Sequence, residues 1–304
     1  MKKLLLLFFA TGITLSACGT MGTQSISPAQ TLIPLTATTP ALAPDTSATP
    51  LPTISPTCTQ WQKWPVIPNV SKTSLELYMR GLTIGNNPHA FSKIGNGEIS
   101  TTWFLGVFDL NDEYYVLGEY QKLSTTIEHF RGSFGRVGFA ARRGFNTNLI
   151  LNPTIMENSP FCYSGESPLG CELRVHQPSF AIISLGTNQV WNPEEFETGL
   201  RQILDILTIK GVLPILSTKG DNLEGDHSVN RIIACLAQEY DIPLWNFWLA
   251  IQALPNKGLQ PDLEHLTYYG INDLGNKEAM QYAWTIRNLT VLQVLESMRQ
   301  GVIK

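Results

Sequence analysis

Phe180-Ala181-Ile182-Ile183-Ser184-Leu185 is a nearly continuous apolar run, entered through Pro178 and left through Gly186-Thr187-Asn188. Asn192-Pro193 follows. Residues 194–210 then carry Phe196, Leu200, Ile203, Leu204 and Leu207 at spacings of three and four. That spacing places all five side chains on one face of a helix, and Asn-Pro is a helix-opening pair. Gly211 stops the helix, and Val212-Leu213-Pro214-Ile215-Leu216 resumes an apolar run. An apolar strand, an amphipathic helix and a second apolar strand in succession indicate a parallel sheet covered on both faces.

The same alternation extends outward in both directions. Residues 91–95 and 137–141 read as a first and a second strand ahead of the third at 180–185. Residues 228–240 read as a helix and 243–247 as a fifth strand, and a last helical region spans 277–299. No internal repeat is present. The expected fold class is α/β, a three-layer α/β/α sandwich with a mostly parallel sheet.

The N-terminus has a different character. Met1-Lys2-Lys3 is basic, residues 4–10 are apolar, and Leu15-Ser16-Ala17-Cys18 resembles a bacterial lipobox. The apolar stretch is too short to span a bilayer, and the arrangement is that of a secretory signal. The resemblance implies cleavage before Cys18 and acylation of its thiol. Residues 1–18 are then a lipoprotein signal, and the chain is exported and anchored to the cell membrane or surface through lipid alone. Residues 19–60 are Thr, Pro, Ala and Ser with a single charge, Asp45. Such a stretch buries too little apolar surface to offset its ordering entropy, so it reads as a disordered tether. Residues 61–304 are long enough for one sizeable core.

Formal net charge is −4, with no basic run and no stripe of aromatic and basic residues. Nucleic acid is therefore excluded as an expected partner. Of five Cys, Cys162 and Cys171 bracket a turn-rich loop, which in an exported chain favours a local disulfide. Cys235 falls within the helical pattern and is expected as a buried core residue. Cys58 has no assignable partner. Asp221-Asn222-Leu223-Glu224-Gly225-Asp226-His227 is rich in oxygen ligands but matches no ordered calcium spacing, and reads as a polar loop. No metal and no cofactor is expected. His89, His129 and His176 lack motif context. Asn288-Leu289-Thr290 is a glycosylation sequon by pattern, yet lies in an expected helix.

Four short motifs fall just beyond the carboxyl ends of the expected strands, where open α/β sheets bind ligands. They are Gly95-Asn96-Gly97 after the first, Arg142-Arg143-Gly144 after the second, Gly186-Thr187-Asn188 after the third, and Asp262-Leu263-Glu264-His265 after the fifth. Asp and His three residues apart can be aimed at one point by a single turn, which suits a base held by a carboxylate. In this order the motifs resemble the blocks of the SGNH (GDSL-type) hydrolases, over roughly residues 91–274. The resemblance implies a flavodoxin-like fold and ester hydrolysis. It casts His265 as base, Asp262 as its orienting carboxylate, and Gly144 and Asn188 as oxyanion donors. The family often has Asp where this chain has Gln189. In its first block, Gly-Asp-Ser, the Ser is the nucleophile, and here the triplet ends in Gly97. Ser100, three residues on, is the alternative hydroxyl, but it reaches the rim only through a bulge or shifted turn. Two functions stay open: hydrolysis of an acyl or acetyl ester, on a small molecule or an envelope polysaccharide, and binding of such a ligand by a catalytically degenerate relative.

Overall fold

The computed structural model describes residues 58–302. Cys18, the signal and most of the tether lie outside the described residues. In chain order the elements are α1 (Lys72–Thr83), β1 (Asn87–Gly95), α2 (Gly97–Ser100), β2 (Tyr115–Val116), α3 (Ser124–His129), α4 (Thr147–Leu151), α5 (Pro168–His176), β3 (Pro178–Ser184) and α6 (Pro193–Ile209). They continue with β4 (Leu213–Ser217), α7 (Ser228–Glu239), β5 (Leu244–Trp245), α8 (Phe247–Ile251), β6 (Asn272–Asp273) and α9 (Ala283–Val302).

β1, β3, β4 and β5 pair in that order, all parallel. Every residue of β3 and β4 is buried, as their uninterrupted apolarity requires. Parallel neighbours need a crossover, and α6 and α7 supply two of them. Asn192 caps α6, its side chain accepting from the Glu195 N–H, and Pro193 opens the first turn. The expected face, Phe196, Leu200, Ile203, Leu204 and Leu207, is buried. The helices form two contacting groups, α1 with α3 and α9, and α4 with α5, α6 and α7, and members of both groups pack on the sheet. The architecture is the expected three-layer α/β sandwich.

The second strand differs from expectation. Residues 137–141 make a single parallel bridge, Ala141 to Gly95, and no strand. Buried Glu172 is the reason. It accepts from the Phe139 N–H at 2.7 Å and from the Ser92 hydroxyl, and Gly138 lies against it. The Phe139 N–H is bonded to that carboxylate, and the segment keeps only the bridge at its end. The bridge still sits beyond β1, so the order by sequence is the 2-1-3-4-5 of flavodoxin-like sheets, with its switch point between β1 and β3. The last helix starts later than expected, at Ala283, because Tyr282 is extended and the first-turn N–H groups of Ala283 and Trp284 bond to Thr267. Asn288 of the sequon is buried, bonded to Trp103, Leu105 and Asn272.

Two disulfides are present. Cys162–Cys171 closes the short loop. Cys235, expected as a core residue, pairs with Cys58. Cys58–Gln60, assigned to the tether from sequence, therefore belong to the fold, in a 3-10 turn running Cys58–Lys63. Trp61 in that turn is buried and packs edge-on against Trp248. The sequence separations are 177 and 9 residues. In the chain-entropy description the long loop stabilises by about 5 kcal/mol and the short one by about 2.5 kcal/mol. Urea titration of Cys58→Ser/Cys235→Ser is thus expected to show roughly twice the loss of Cys162→Ser/Cys171→Ser, and equal losses would contradict this ordering. Among the described residues, no helix is long and apolar enough to cross a membrane.

Candidate active site

The carboxyl end of β1 is pressed against β3. A side chain at Gly95 would bring its Cβ within 2.1 Å of the Ser184 carbonyl oxygen. Asn96 then caps α2, its Oδ1 accepting from the Glu98 N–H at 3.2 Å. Gly97 is the first residue of α2 and faces a cleft of about 580 Å³. Glu98, Arg143, Gly144, Asn188, His265 and Trp284 also line it. Ser100 does not. Its hydroxyl sits at the far end of α2 and bonds back to the Gly97 carbonyl at 3.3 Å, so the expected substitute hydroxyl is engaged with its own turn.

Each lining group is held by its own local structure. Gly144 has φ +83°, a left-handed turn suited to glycine. Asn188, on the 3-10 turn Thr187–Gln189 after β3, donates one amide hydrogen to the Phe145 carbonyl at 2.8 Å. That bond ties the third motif to the turn of the second and leaves the other amide hydrogen available. Gln189, where the resemblance would place Asp, is buried and accepts from both the N–H and the hydroxyl of Thr147, which opens α4. The hydroxyl of Thr187 donates to Asp221 at 2.8 Å. Asp221 belongs to an internal ion cluster in which the Lys219 ammonium donates at 2.6 Å to both Asp221 and Glu224. The oxygen-rich loop is therefore organised around a buried lysine.

The Asp262–His265 pair is built by one turn. Leu263 is left-handed at φ +59°, and Asp262 Oδ1 accepts the N–H groups of Glu264 and His265, each at 3.0 Å. Asp262 Oδ2 lies 2.8 Å from His265 Nδ1. The two backbone bonds, then the imidazole, pull the Asp262 carboxyl down to about 2. The carboxylate in turn pushes His265 above its ordinary value of 6.5. With Nδ1 directed to Asp262, Nε2 is the nitrogen left to take a proton. Among the described residues, Asp262 is the imidazole's only hydrogen-bond partner. Asp262 itself stands behind His265, outside the cleft lining.

Position 97 has space but no side chain. A Cβ built there meets only Arg143, at 3.7–4.0 Å, which is ordinary contact. Beneath it lies a pair that sequence reading missed. Arg287 of α9 is fully buried, and its Nη1 is 3.7 Å from Glu98 Oε2. Its Nη2 donates to Ser184 at 2.9 Å, and Phe104, Trp245 and Phe247 place their rings within 5.1 Å of the guanidinium. Burial pushes the Glu98 carboxyl up, while Arg287 opposes that shift. No sequence signal marks this pair, because 189 positions separate its members and Arg287 carries no motif.

The sequence matches no known family profile and no curated protein. Solved structures similar to the chain include ester hydrolases. A GDSL-like lipase from Bacteroides thetaiotaomicron shares 14% identity at a TM-score of 0.40, over 74% of this chain and 98% of that one. A catalytic mutant of an acetylxylan esterase from Geobacillus stearothermophilus shares 14% at 0.43, over 69% and 95%. A psychrotrophic esterase from a Pseudoalteromonas species shares 12% at 0.40, over 68% and 97%.

Proposed function

We propose that this chain is an SGNH-type protein whose cleft binds an acyl or acetyl ester but lacks the side chain that would attack it. The observation that carries this reading is Gly97. It lines the same cleft as the Asp262-held His265 and the candidate oxyanion donors Gly144 and Asn188, and it offers no hydroxyl. Acyl transfer splits hydrolysis into two easier steps through a covalent intermediate, and without a nucleophile that route is closed. What remains is the rate that polarisation and binding supply to water. The resemblance to the SGNH blocks supports an ester as the ligand's reactive group. The two disulfides support export, since such bonds persist in oxidising compartments. The lipobox-like Leu15-Ser16-Ala17-Cys18 supports anchoring through a lipid on Cys18.

Hydrolysis of p-nitrophenyl acetate by the full chain tests the reading. The parent and His265→Ala are expected to differ by no more than a few fold, and Ser100→Ala is expected to match the parent. A robust parental rate that His265→Ala abolishes would overturn it. For the anchor, Cys18→Ser is expected to move the exported protein from the detergent to the aqueous phase; retention in detergent would contradict lipidation at that residue.

Ionisation makes a further expectation for any active variant. A base must be neutral to accept a proton, and Asp262 favours the charged form of His265, raising its pKa. Activity restored at position 97 is therefore expected to be low in acid and to rise with pH through a midpoint above 6.5. Asp262→Asn removes the carboxylate and is expected to move the midpoint down. A midpoint insensitive to Asp262→Asn would show that His265 is not the titrating base.

A further inference from the structure

Asn96-Gly97 is the only Asn-Gly pair in the 304 residues. It follows directly on β1, and Asn96 is buried apart from the cleft it lines. An Asn before Gly can lose its side-chain amide when the next backbone nitrogen attacks Cγ and closes a five-membered imide. That nitrogen must reach Cγ, the Cγ carbonyl must be polarised, and water must be present to open the ring. The turn after β1 meets each requirement. Asn96 has φ −91° and ψ −156°. This ψ rotates the Gly97 nitrogen toward Cβ, as ring closure requires, whereas a helical or ordinary strand ψ turns it away. Asn96 Oδ1 accepts the Glu98 N–H at 3.2 Å. A side-chain carbonyl bonded to the N–H two residues on lies over the peptide between them, and the same N–H stabilises the oxyanion formed when Cγ is attacked. Among the described residues, the Gly97 N–H donates to no acceptor. No side chain of its own screens it, and a Cβ there would meet nothing nearer than Arg143, at 3.7 Å. The polar cleft of about 580 Å³ has room for the water that opens the ring.

We propose that Asn96 is a site of self-modification, losing its amide to the Gly97 nitrogen in the folded chain and becoming an acidic residue of the cleft. In the first step the bond from the Gly97 nitrogen to Cγ forms, the Cγ–Nδ2 bond breaks, and the Gly97 N–H proton leaves with Nδ2 as ammonia. In the second, water adds to one imide carbonyl and reopens the ring as aspartate or isoaspartate. The sum is Asn plus water to Asp plus ammonia, with no oxidant or reductant. Aspartate keeps an acceptor for the Glu98 N–H, so α2 stays capped. Isoaspartate instead puts a methylene into the main chain between β1 and α2. Either product adds a negative charge to a lining that already holds Glu98 and Glu264 with Arg143 and His265. The modified cleft therefore favours cationic over anionic ligands.

Peptide mapping of the full chain after storage in mildly alkaline heavy-oxygen water tests the site. The peptide holding residue 96 is expected to lose ammonia and gain heavy oxygen well ahead of the peptide holding Asn158, which is exposed and precedes Ser159. Anion-exchange chromatography of the folded chain is expected to show a growing species with a single extra negative charge. Gly97→Ala, for which the cleft has room, is expected to slow the change at least about fivefold, since a Cβ narrows the backbone freedom that ring closure draws on. Asn96→Gln, whose ring would have six members, is expected to show no acidic species. An Asn96 that stays intact in the folded chain, or is lost there more slowly than in the urea-unfolded chain, would overturn the proposal by showing that the turn protects it. Equal rates for the parent and Gly97→Ala would overturn it too, because closure onto residue 97 would then not set the rate.

Discussion

Gly97→Ser is expected to turn the protein into an esterase, raising turnover of p-nitrophenyl acetate by at least about 10²-fold over the parent. The backbone is already suited to it. Gly97 has no positive φ, and a Cβ there meets Arg143 at 3.7 Å without a clash. The added Oγ would stand at the start of α2, in the cleft lined by His265, Gly144 and Asn188. Asn96 caps α2 through its Oδ1, so the turn does not require Asp there. Adding His265→Ala to Gly97→Ser is expected to return the rate to the parental level. An inert Gly97→Ser variant that folds normally would mean that the lining groups do not converge on one reacting centre.

The second large effect concerns the pair beneath the site. Arg287 is fully buried and cannot shed its charge at any relevant pH, so its neutralisation falls to Glu98. Glu98→Gln is expected to cost about 3 kcal/mol, because it leaves a buried cation with no counter-charge. Arg287→Met should cost less. Glu98 is 21% exposed, and its carboxyl is already pushed up, so it can take up a proton when unpaired. The double variant should be more stable than Glu98→Gln alone, since the uncompensated charge has gone. Urea titrations of the three variants form a double-mutant cycle. Additive losses would show that the two side chains are not coupled.

What was legible in the sequence follows from the range of the forces involved. β3, α6 and β4 were readable because local periodicity and one Asn-Pro pair determine them. Asp262 and His265 were readable because one turn builds their geometry. Residues 137–141 were misread as a strand because Glu172, more than thirty positions away, takes the Phe139 N–H and leaves only one bridge to β1. The Cys58–Cys235 bond was not legible because the helical pattern around Cys235 carries no trace of a partner 177 positions earlier. The Glu98–Arg287 pair was invisible for the same reason. The space at Gly97 depends on where Arg143 lies, and only coordinates give that.

The claim that the cleft retains its machinery but lacks a nucleophile is tested most directly by intact-mass measurement after treatment with a fluorophosphonate ester. Such a reagent phosphonylates an activated hydroxyl in place of the acyl group. The parent is expected to show no mass increase, and Gly97→Ser one adduct that maps to residue 97 and fails to form when His265→Ala is added. A stoichiometric adduct on the parent, on Ser100 or any other hydroxyl, would contradict the account.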